Sequence, residues 1–116
     1  MTSTEILDLV KKQGILPLFF NKDPQVSIEI LDAAYKAGIR ALEYTNRGDT
    51  AYDNFSAMVA YRNENLKDLK LGIGTIKDLK TAKKYIDAGA DFIVSPGFVE
   101  EVAKYCVAND IFYAPG

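Results

Sequence analysis

Short apolar runs alternate along this chain with longer stretches in which apolar residues recur at helical spacing. Five runs of four to eight mostly apolar residues are typical of buried strands. They lie at residues 15–20, 39–45, 69–76, 92–95 and 111–114. Pro17 weakens the first of these predictions, because proline cannot donate to a strand ladder. The pattern therefore predicts five strands, with the first less regular than the others.

Five helices are predicted from the stretches between these strands and before the first. Thr2 to Glu5 has the spacing of a capping box, and Gly14 follows as a stop. Asp23-Pro24 predicts the start of a second helix over residues 25–37, with Val26, Ile30, Ala33 and Ala37 on its buried face. Asp49 or Thr50 should cap a third helix, whose core side is formed by Phe55, Met58 and Val59. The last two helices are expected between Asp78 and Gly89 and over residues 99–107.

The order is helix, then strand and helix four times, then a final strand, which predicts an α/β fold with a parallel sheet and right-handed crossovers. A weak internal repeat relates residues 35–42 to residues 85–93, two strand–helix units apart. Such recurrence suits a (β/α)₈ TIM barrel, which needs about 250 residues. The chain has 116 residues. We therefore expect residues 1–116 to be the N-terminal part of a single TIM-barrel domain, with a small open five-stranded sheet as the alternative.

The second predicted strand carries the most informative side chains. Alternation along a strand places Ala41, Glu43 and Thr45 on one face and Leu42 and Tyr44 on the other. A glutamate inside an apolar strand is costly to bury unless it is paired or functional.

Arg47 follows the end of this strand and could curl back over it. Two interpretations are open on spacing alone. Glu43 and Arg47 could form a structural ion pair, or they could be a proton carrier beside an anion clamp, an arrangement suited to a small keto-acid.

Composition and charge exclude several classes of protein. The formal net charge is −2 and the lysines are dispersed, so no basic stripe indicates nucleic-acid binding. No apolar run is long enough to span a bilayer, and the N-terminus does not resemble a signal peptide, so no membrane partner is expected. The chain has no histidine, which removes Ser-His-Asp and Cys-His catalysis and histidine metal sites. No metal and no cofactor are expected.

The single cysteine, Cys106, excludes an internal disulfide and fits a cytoplasmic protein. It falls on a helix face with Val99, Val102 and Ala103, which favours a small core residue over a nucleophile.

Four motifs in order resemble the class I aldolases that act on 2-keto-3-deoxy-6-phosphogluconate (KDPG) and 4-hydroxy-2-oxoglutarate (KHG). The family patterns are Leu-Glu-x-Thr-x-Arg, Gly-x-Gly-Thr-[Val/Ile], Phe-x-x-Ser-Pro-Gly and a Pro-Gly that closes the fifth strand. The matching segments are Leu42 to Arg47, Gly72 to Ile76, Phe92 to Gly97 and Tyr113 to Gly116. The order and spacing agree along the whole chain, including the extra N-terminal helix.

The resemblance implies cleavage of the substrate to pyruvate and an aldehyde through a lysine Schiff base. Glu43 would be the general acid/base, and Arg47 would hold the pyruvate carboxylate. Thr75 would add a hydroxyl hydrogen bond to that carboxylate, and Pro96 and Gly97 would shape the pocket floor. The resemblance also implies a homotrimer for the full-length protein.

The family's Schiff-base lysine lies on a sixth strand, and no lysine of this chain replaces it. Such a lysine needs a desolvated pocket to lower its pKa. Lys70 begins the third strand, at the wrong end, while Lys22 and Lys77 lie in polar turns. We therefore expect the 116-residue chain alone to be inactive as an aldolase.

Other interpretations of the same residues carry less support. Gly72-x-Gly74 could begin a dinucleotide-binding loop, but Lys77-Asp78 stands where the third glycine is needed. Thr75 could be only a helix cap, and Ser95 lacks a histidine base for nucleophilic attack.

Two alternative functions stay open at this point. The chain could be a half-barrel binding or assembly module that completes its sheet with another chain. It could also belong to another keto-acid or phosphate-binding barrel enzyme that needs no lysine.

Overall fold

Helices and strands alternate along all 116 residues of the computed structural model. Five helices and five strands follow one another in the predicted order. The helices are α1 (Ser3–Gln13), α2 (Pro24–Lys36), α3 (Ala51–Asn65), α4 (Leu79–Asp87) and α5 (Glu100–Ala108). The strands are β1 (Leu18–Phe19), β2 (Ala41–Thr45), β3 (Lys70–Gly74), β4 (Phe92–Ser95) and β5 (Phe112–Pro115).

The five strands form one sheet in the order β1-β2-β3-β4-β5, and every neighbouring pair is parallel. This confirms the predicted α/β sheet. The first strand is shorter than the predicted residues 15–20, since β1 begins only after Pro17. Pro17 has no N–H for the ladder, although its carbonyl accepts a hydrogen bond of 2.9 Å from the Glu43 amide.

The predicted helix ends are mostly confirmed. Thr2 and Glu5 form the capping box of α1, and the Asp23 carboxylate caps α2. Gly38 and Gly89 follow α2 and α4 with φ of +104° and +112°, a conformation that favours glycine. The cap of α3 differs from the prediction, because Thr50 stands at the cap position without a side-chain capping hydrogen bond.

The two faces of the sheet carry different cores, as the alternation along β2 predicts. Leu42 and Tyr44 belong to a core of 17 buried residues between the sheet and the helices. On the opposite face Ala41 and Phe92 pack against Ile6 of α1, which covers that face. Glu43 and Thr45 therefore lie on the face that would line the interior of a barrel.

The predicted buried face of α2 is wrong. Ile30 is 36% exposed and Ala33 and Ala37 are also exposed, whereas Leu31 and Ser27 are fully buried. Ser27 can be buried because its hydroxyl donates to the carbonyls of Asn21 and Asp23. A polar residue thus lies on the buried face of α2, and a prediction based only on apolar residues puts that face in the wrong place.

A buried ion pair closes the amino-terminal edge of the sheet. The Arg62 guanidinium lies 2.5 Å from the Asp91 carboxylate and donates to the Leu69 carbonyl at 2.9 Å. Asp91 also accepts a hydrogen bond from the Leu71 amide at 2.9 Å. Because Arg62 belongs to α3 and Asp91 directly precedes β4, the pair ties α3 to the start of two strands.

No helix of the chain combines the length and the apolar character that crossing a bilayer requires. Cys106 is fully buried, as expected of a core residue, and burial raises the pKa of its thiol to about 11.

Candidate functional site

Glu43 lies in the middle of β2 with only 4% of its surface exposed. Its carboxylate accepts no hydrogen bond from any other group of the chain and forms none of the four ion pairs. Buried carboxylates are normally paired or hydrogen-bonded. An unpaired one is an unusual feature that calls for a functional explanation.

Two glycines of β3 make room for this arrangement. A Cβ added to Gly74 would collide with the Glu43 carboxylate, so that carboxylate lies directly over the Gly74 backbone. Likewise, a Cβ on Gly72 would collide with the Phe92 ring. Both glycines thus lie beneath side chains of the chain itself, so their missing Cβ atoms allow close packing.

Burial raises the pKa of the Glu43 carboxyl, and the positive charge of nearby Arg47 opposes that rise. The two side chains form no ion pair within 4 Å, so the structural ion-pair interpretation is wrong for this structure. Arg47 is exposed, and its guanidinium bonds to no group of the chain. The site thus has a carboxyl that holds its proton more tightly than usual and a guanidinium with all its donors free.

Arg47 extends from a tight turn at the carboxyl end of β2. The Arg47 amide donates to the Thr45 carbonyl at 3.0 Å, and the Asn46 amide donates to the Gly74 carbonyl at 2.9 Å. Thr45 itself is buried. The backbone of the turn is therefore fixed to both β2 and β3, while the arginine side chain stands in solvent.

Thr75 follows β3 directly and has φ of +63°. A positive φ is an outlier for a β-branched residue, and such strain, of about 1–3 kcal/mol, clusters at functional sites. The helix-cap interpretation of Thr75 is wrong, because the cap of α4 is Asp78, whose carboxylate accepts from the Thr81 amide.

The segment after β4 supplies the remaining predicted residues. Pro96 and Gly97 are exposed, and a Cβ on Gly97 would meet nothing within 4 Å. Ser95 precedes them with 1% of its surface exposed, and its hydroxyl has no hydrogen-bond partner. Sequence reasoning did not anticipate this unpaired buried hydroxyl.

Five predicted residues are thus brought to one edge of the sheet: Glu43, Arg47, Thr75, Pro96 and Gly97. They lie within or directly after β2, β3 and β4, toward the carboxyl ends of three adjacent strands. None of them lines any of the four cavities of the structure.

The lysines stand where the sequence predicts. Lys22 and Lys77 are exposed, and Lys70 is half-buried at the opposite end of β3. None occupies a desolvated position near Glu43. No group of three or more acidic, cysteine or histidine side chains is placed to hold a metal ion.

Tyr85 of α4 contacts the turn of the candidate site, and sequence reasoning missed this contact. It is 2% exposed, and its hydroxyl donates to the Asn46 side-chain oxygen at 2.8 Å. Burial raises the pKa of Tyr85 to about 12. Its place among apolar residues of α4 indicated packing, and no local signal in the sequence linked it to residue 46.

A parallel sheet with Glu43, Arg47 and the strained Thr75 toward the carboxyl ends of two adjacent strands matches the arrangement of (β/α)₈ barrel enzymes. The chain has the strand order and helix layer of the first five strands of such a barrel.

Comparison with known proteins identifies the family. The sequence profile of the KDPG and KHG aldolases matches residues 6–116, and the chain belongs to this family. The 2-dehydro-3-deoxy-phosphogluconate aldolase of Treponema pallidum is 30% identical over 111 residues, which are 96% of this chain and 51% of that protein. The enzyme of the same name from Pseudomonas aeruginosa is 30% identical over 93% of this chain and 47% of its own length.

Solved structures of aldolases share the fold. The 2-keto-3-deoxy-6-phosphogluconate aldolase of Zymomonas mobilis superposes with a TM-score of 0.75 at 27% identity, over 87% of this chain and 47% of that one. The KDPG aldolase of Legionella pneumophila, captured with pyruvate as a covalent carbinolamine, has a TM-score of 0.75 at 26% identity over the same shares. The chain spans about half the length of the curated relatives it matches.

Proposed function

We propose that this chain supplies the acid/base and carboxylate-binding part of a class I aldolase. The reaction would cleave a 2-keto-3-deoxy-6-phosphogluconate or 4-hydroxy-2-oxoglutarate type substrate to pyruvate and an aldehyde. The observation that carries the proposal is the location of Glu43 near Arg47, with no ion pair between them. A buried carboxyl with a raised pKa and no partner stands near an arginine whose donors are all free.

In this proposal Glu43 moves protons. A general acid/base works best when its pKa lies near the working pH, and desolvation raises the Glu43 pKa in that direction. A carbinolamine loses its hydroxyl as water when an acid protonates it, and cleavage of the carbon–carbon bond requires a base to take the proton of the substrate hydroxyl on the far side of that bond. The hydroxyl that loses this proton becomes the aldehyde carbonyl, and the electrons of the broken carbon–carbon bond pass to the Schiff base. One carboxyl that alternates between its two forms can serve both steps.

Arg47 and Thr75 would hold the keto-acid. The planar guanidinium presents two parallel N–H donors that match a carboxylate, and no group of the chain competes for them. The strained backbone of Thr75 fixes its position at the adjacent strand end, from which its hydroxyl would contact the same carboxylate. Pro96 and Gly97 would form the pocket floor.

The Schiff-base lysine would lie beyond residue 116, on the strand that follows β5 in the family. Support comes from the exposed positions of Lys22 and Lys77 and from the covalent carbinolamine in the Legionella relative. A homotrimer and a cytoplasmic location are further parts of this proposal, and both rest on the family resemblance.

A second candidate function is a half-barrel assembly module. The observation that favours it is the pair of strand edges at the two ends of the sheet. Leu18 of β1 is 53% exposed, and β5 pairs with a neighbour on one side only. This candidate needs no Glu43 chemistry, so trapping of a reaction intermediate separates the two.

The proposal predicts no covalent adduct when the 116-residue chain is incubated with pyruvate and borohydride and its intact mass is measured. The full-length protein carrying this chain should form one adduct. In that protein Glu43→Gln should slow adduct formation by about 10²-fold or more, the usual contribution of a general acid. Glu64→Gln, which changes an exposed residue of α3, is the matched control.

Two results would contradict the proposal. One is an adduct on the 116-residue chain, which would place the reactive lysine among those dismissed above. The other is an unchanged trapping rate in the Glu43→Gln protein, which would assign the proton transfer to a different group.

A further inference from the structure

We infer that Tyr85 is a positioning residue, whose hydroxyl acts through the Asn46 side chain to fix the turn that presents Arg47. The inference rests on the proposed function in so far as Arg47 binds a carboxylate. The structural starting point is the 2.8 Å hydrogen bond from the Tyr85 hydroxyl to the Asn46 side-chain oxygen.

This bond joins a buried helix residue to the candidate site. Tyr85 is 2% exposed and packs edge-on against Phe55 and Tyr52, with ring centroids 5.4 Å apart in each case. Its ring therefore cannot move independently of the core. The hydroxyl makes no other hydrogen bond, so Asn46 is its only partner.

Asn46 lies between Thr45 and Arg47. Among residues 46 to 48, only the Asn46 side chain forms a hydrogen bond. The backbone bonds at Asn46 and Arg47 fix the turn to the sheet edge. Since the Arg47 guanidinium has no partner of its own, its direction depends on this turn. Tyr85 thus adds a side-chain connection from the core to a turn whose arginine side chain is unpaired.

Position 46 is a variable position of the motif Leu-Glu-x-Thr-x-Arg, between the threonine and the arginine. An asparagine there can accept a hydrogen bond that an apolar residue cannot. The Tyr85–Asn46 bond is therefore a feature of this chain's own residues, added beside the residues that the motif specifies.

The test compares Tyr85→Phe with Tyr52→Phe in the 116-residue chain. Both variants keep the aromatic ring and lose only its hydroxyl, and the two rings pack against each other. The Tyr85 hydroxyl bonds to Asn46, whereas no group of the chain bonds to the Tyr52 hydroxyl. The first readout is the solvent-exchange rate of the Arg47 amide, measured by NMR without ligand. The second is the dissociation constant for pyruvate, followed through the same amide.

In Tyr85→Phe we expect both the exchange rate and the dissociation constant to rise about five- to tenfold, the factor that loss of one ordinary hydrogen bond gives. In Tyr52→Phe neither should change. In an Asn46→Ala background the Tyr85→Phe change should have no further effect on either readout, because the connecting side chain is already lost.

An Arg47 exchange rate in Tyr85→Phe equal to that of the wild type would overturn the inference, as would an equal rise in Tyr52→Phe. If the wild type does not respond to pyruvate at all, the carboxylate role of Arg47 fails. The ligand-free exchange rates still decide whether Tyr85 positions the turn.

Discussion

Replacement of Gly74 by alanine should destabilise the chain by about 1–3 kcal/mol, the usual cost of overpacking, and displace Glu43 from its buried position. A Cβ at residue 74 would occupy the space of the Glu43 carboxylate. Both residues lie on the same face of adjacent strands, and the atoms that the Cβ meets first belong to the end of the Glu43 side chain, so the carboxylate must move away from Gly74. Urea unfolding of the variant, with a midpoint compared at constant slope, measures the loss.

Two further variants connect this loss to Glu43. Gly97→Ala is the matched control and should change the free energy of unfolding by less than about 0.5 kcal/mol, because a Cβ there meets no atom within 4 Å. In a Glu43→Ala background, Gly74→Ala should lose most of its cost, since the carboxylate that it displaces is gone. A cost that is the same in both backgrounds would show that the carboxylate does not lie over Gly74.

Replacement of Arg62 by methionine should cost about 3 kcal/mol of stability. The change removes the partner of the Asp91 carboxylate and leaves the Leu69 carbonyl without its hydrogen bond from the arginine. Breaking a buried pair costs about 3–5 kcal/mol. The lower end of this range applies to Arg62, because about a quarter of the Asp91 side chain is exposed and water can solvate its charge.

Lys104→Met is the control for this prediction. Lys104 pairs with Glu100 on α5 at 3.1 Å, but both side chains are more than 70% exposed, so the expected cost is below about 0.5 kcal/mol. Thermal or urea unfolding of the two variants side by side provides the comparison. Equal costs would mean that the Arg62–Asp91 pair contributes no more than a surface ion pair.

The fold follows from features that are local in the sequence. The regular alternation of apolar strands and capped helices is sufficient to predict the parallel sheet. The period-2 pattern of β2 predicts which face carries Glu43. The grouping of the five candidate residues at one edge follows as well, because the carboxyl ends of neighbouring parallel strands meet there.

Two of the features that sequence reasoning missed are non-local. The Arg62–Asp91 pair joins residues 29 positions apart, and the Tyr85–Asn46 bond joins residues 39 apart. The buried face of α2 was misplaced because Ser27, a polar residue, is buried on account of hydrogen bonds to the preceding loop. Only the structure decides whether Glu43 and Arg47 form an ion pair, since spacing alone does not fix the direction of an arginine side chain.

The most direct test of the account is an NMR titration of the Glu43 side-chain carboxyl carbon, with its signal assigned by Glu43→Gln. We expect a pKa above the ordinary value for glutamate, because burial disfavours the charged form. We also expect pyruvate to perturb this signal. A pKa at or below the ordinary value, together with a signal that pyruvate leaves unchanged, would contradict the role of Glu43 as the proton carrier of a keto-acid site.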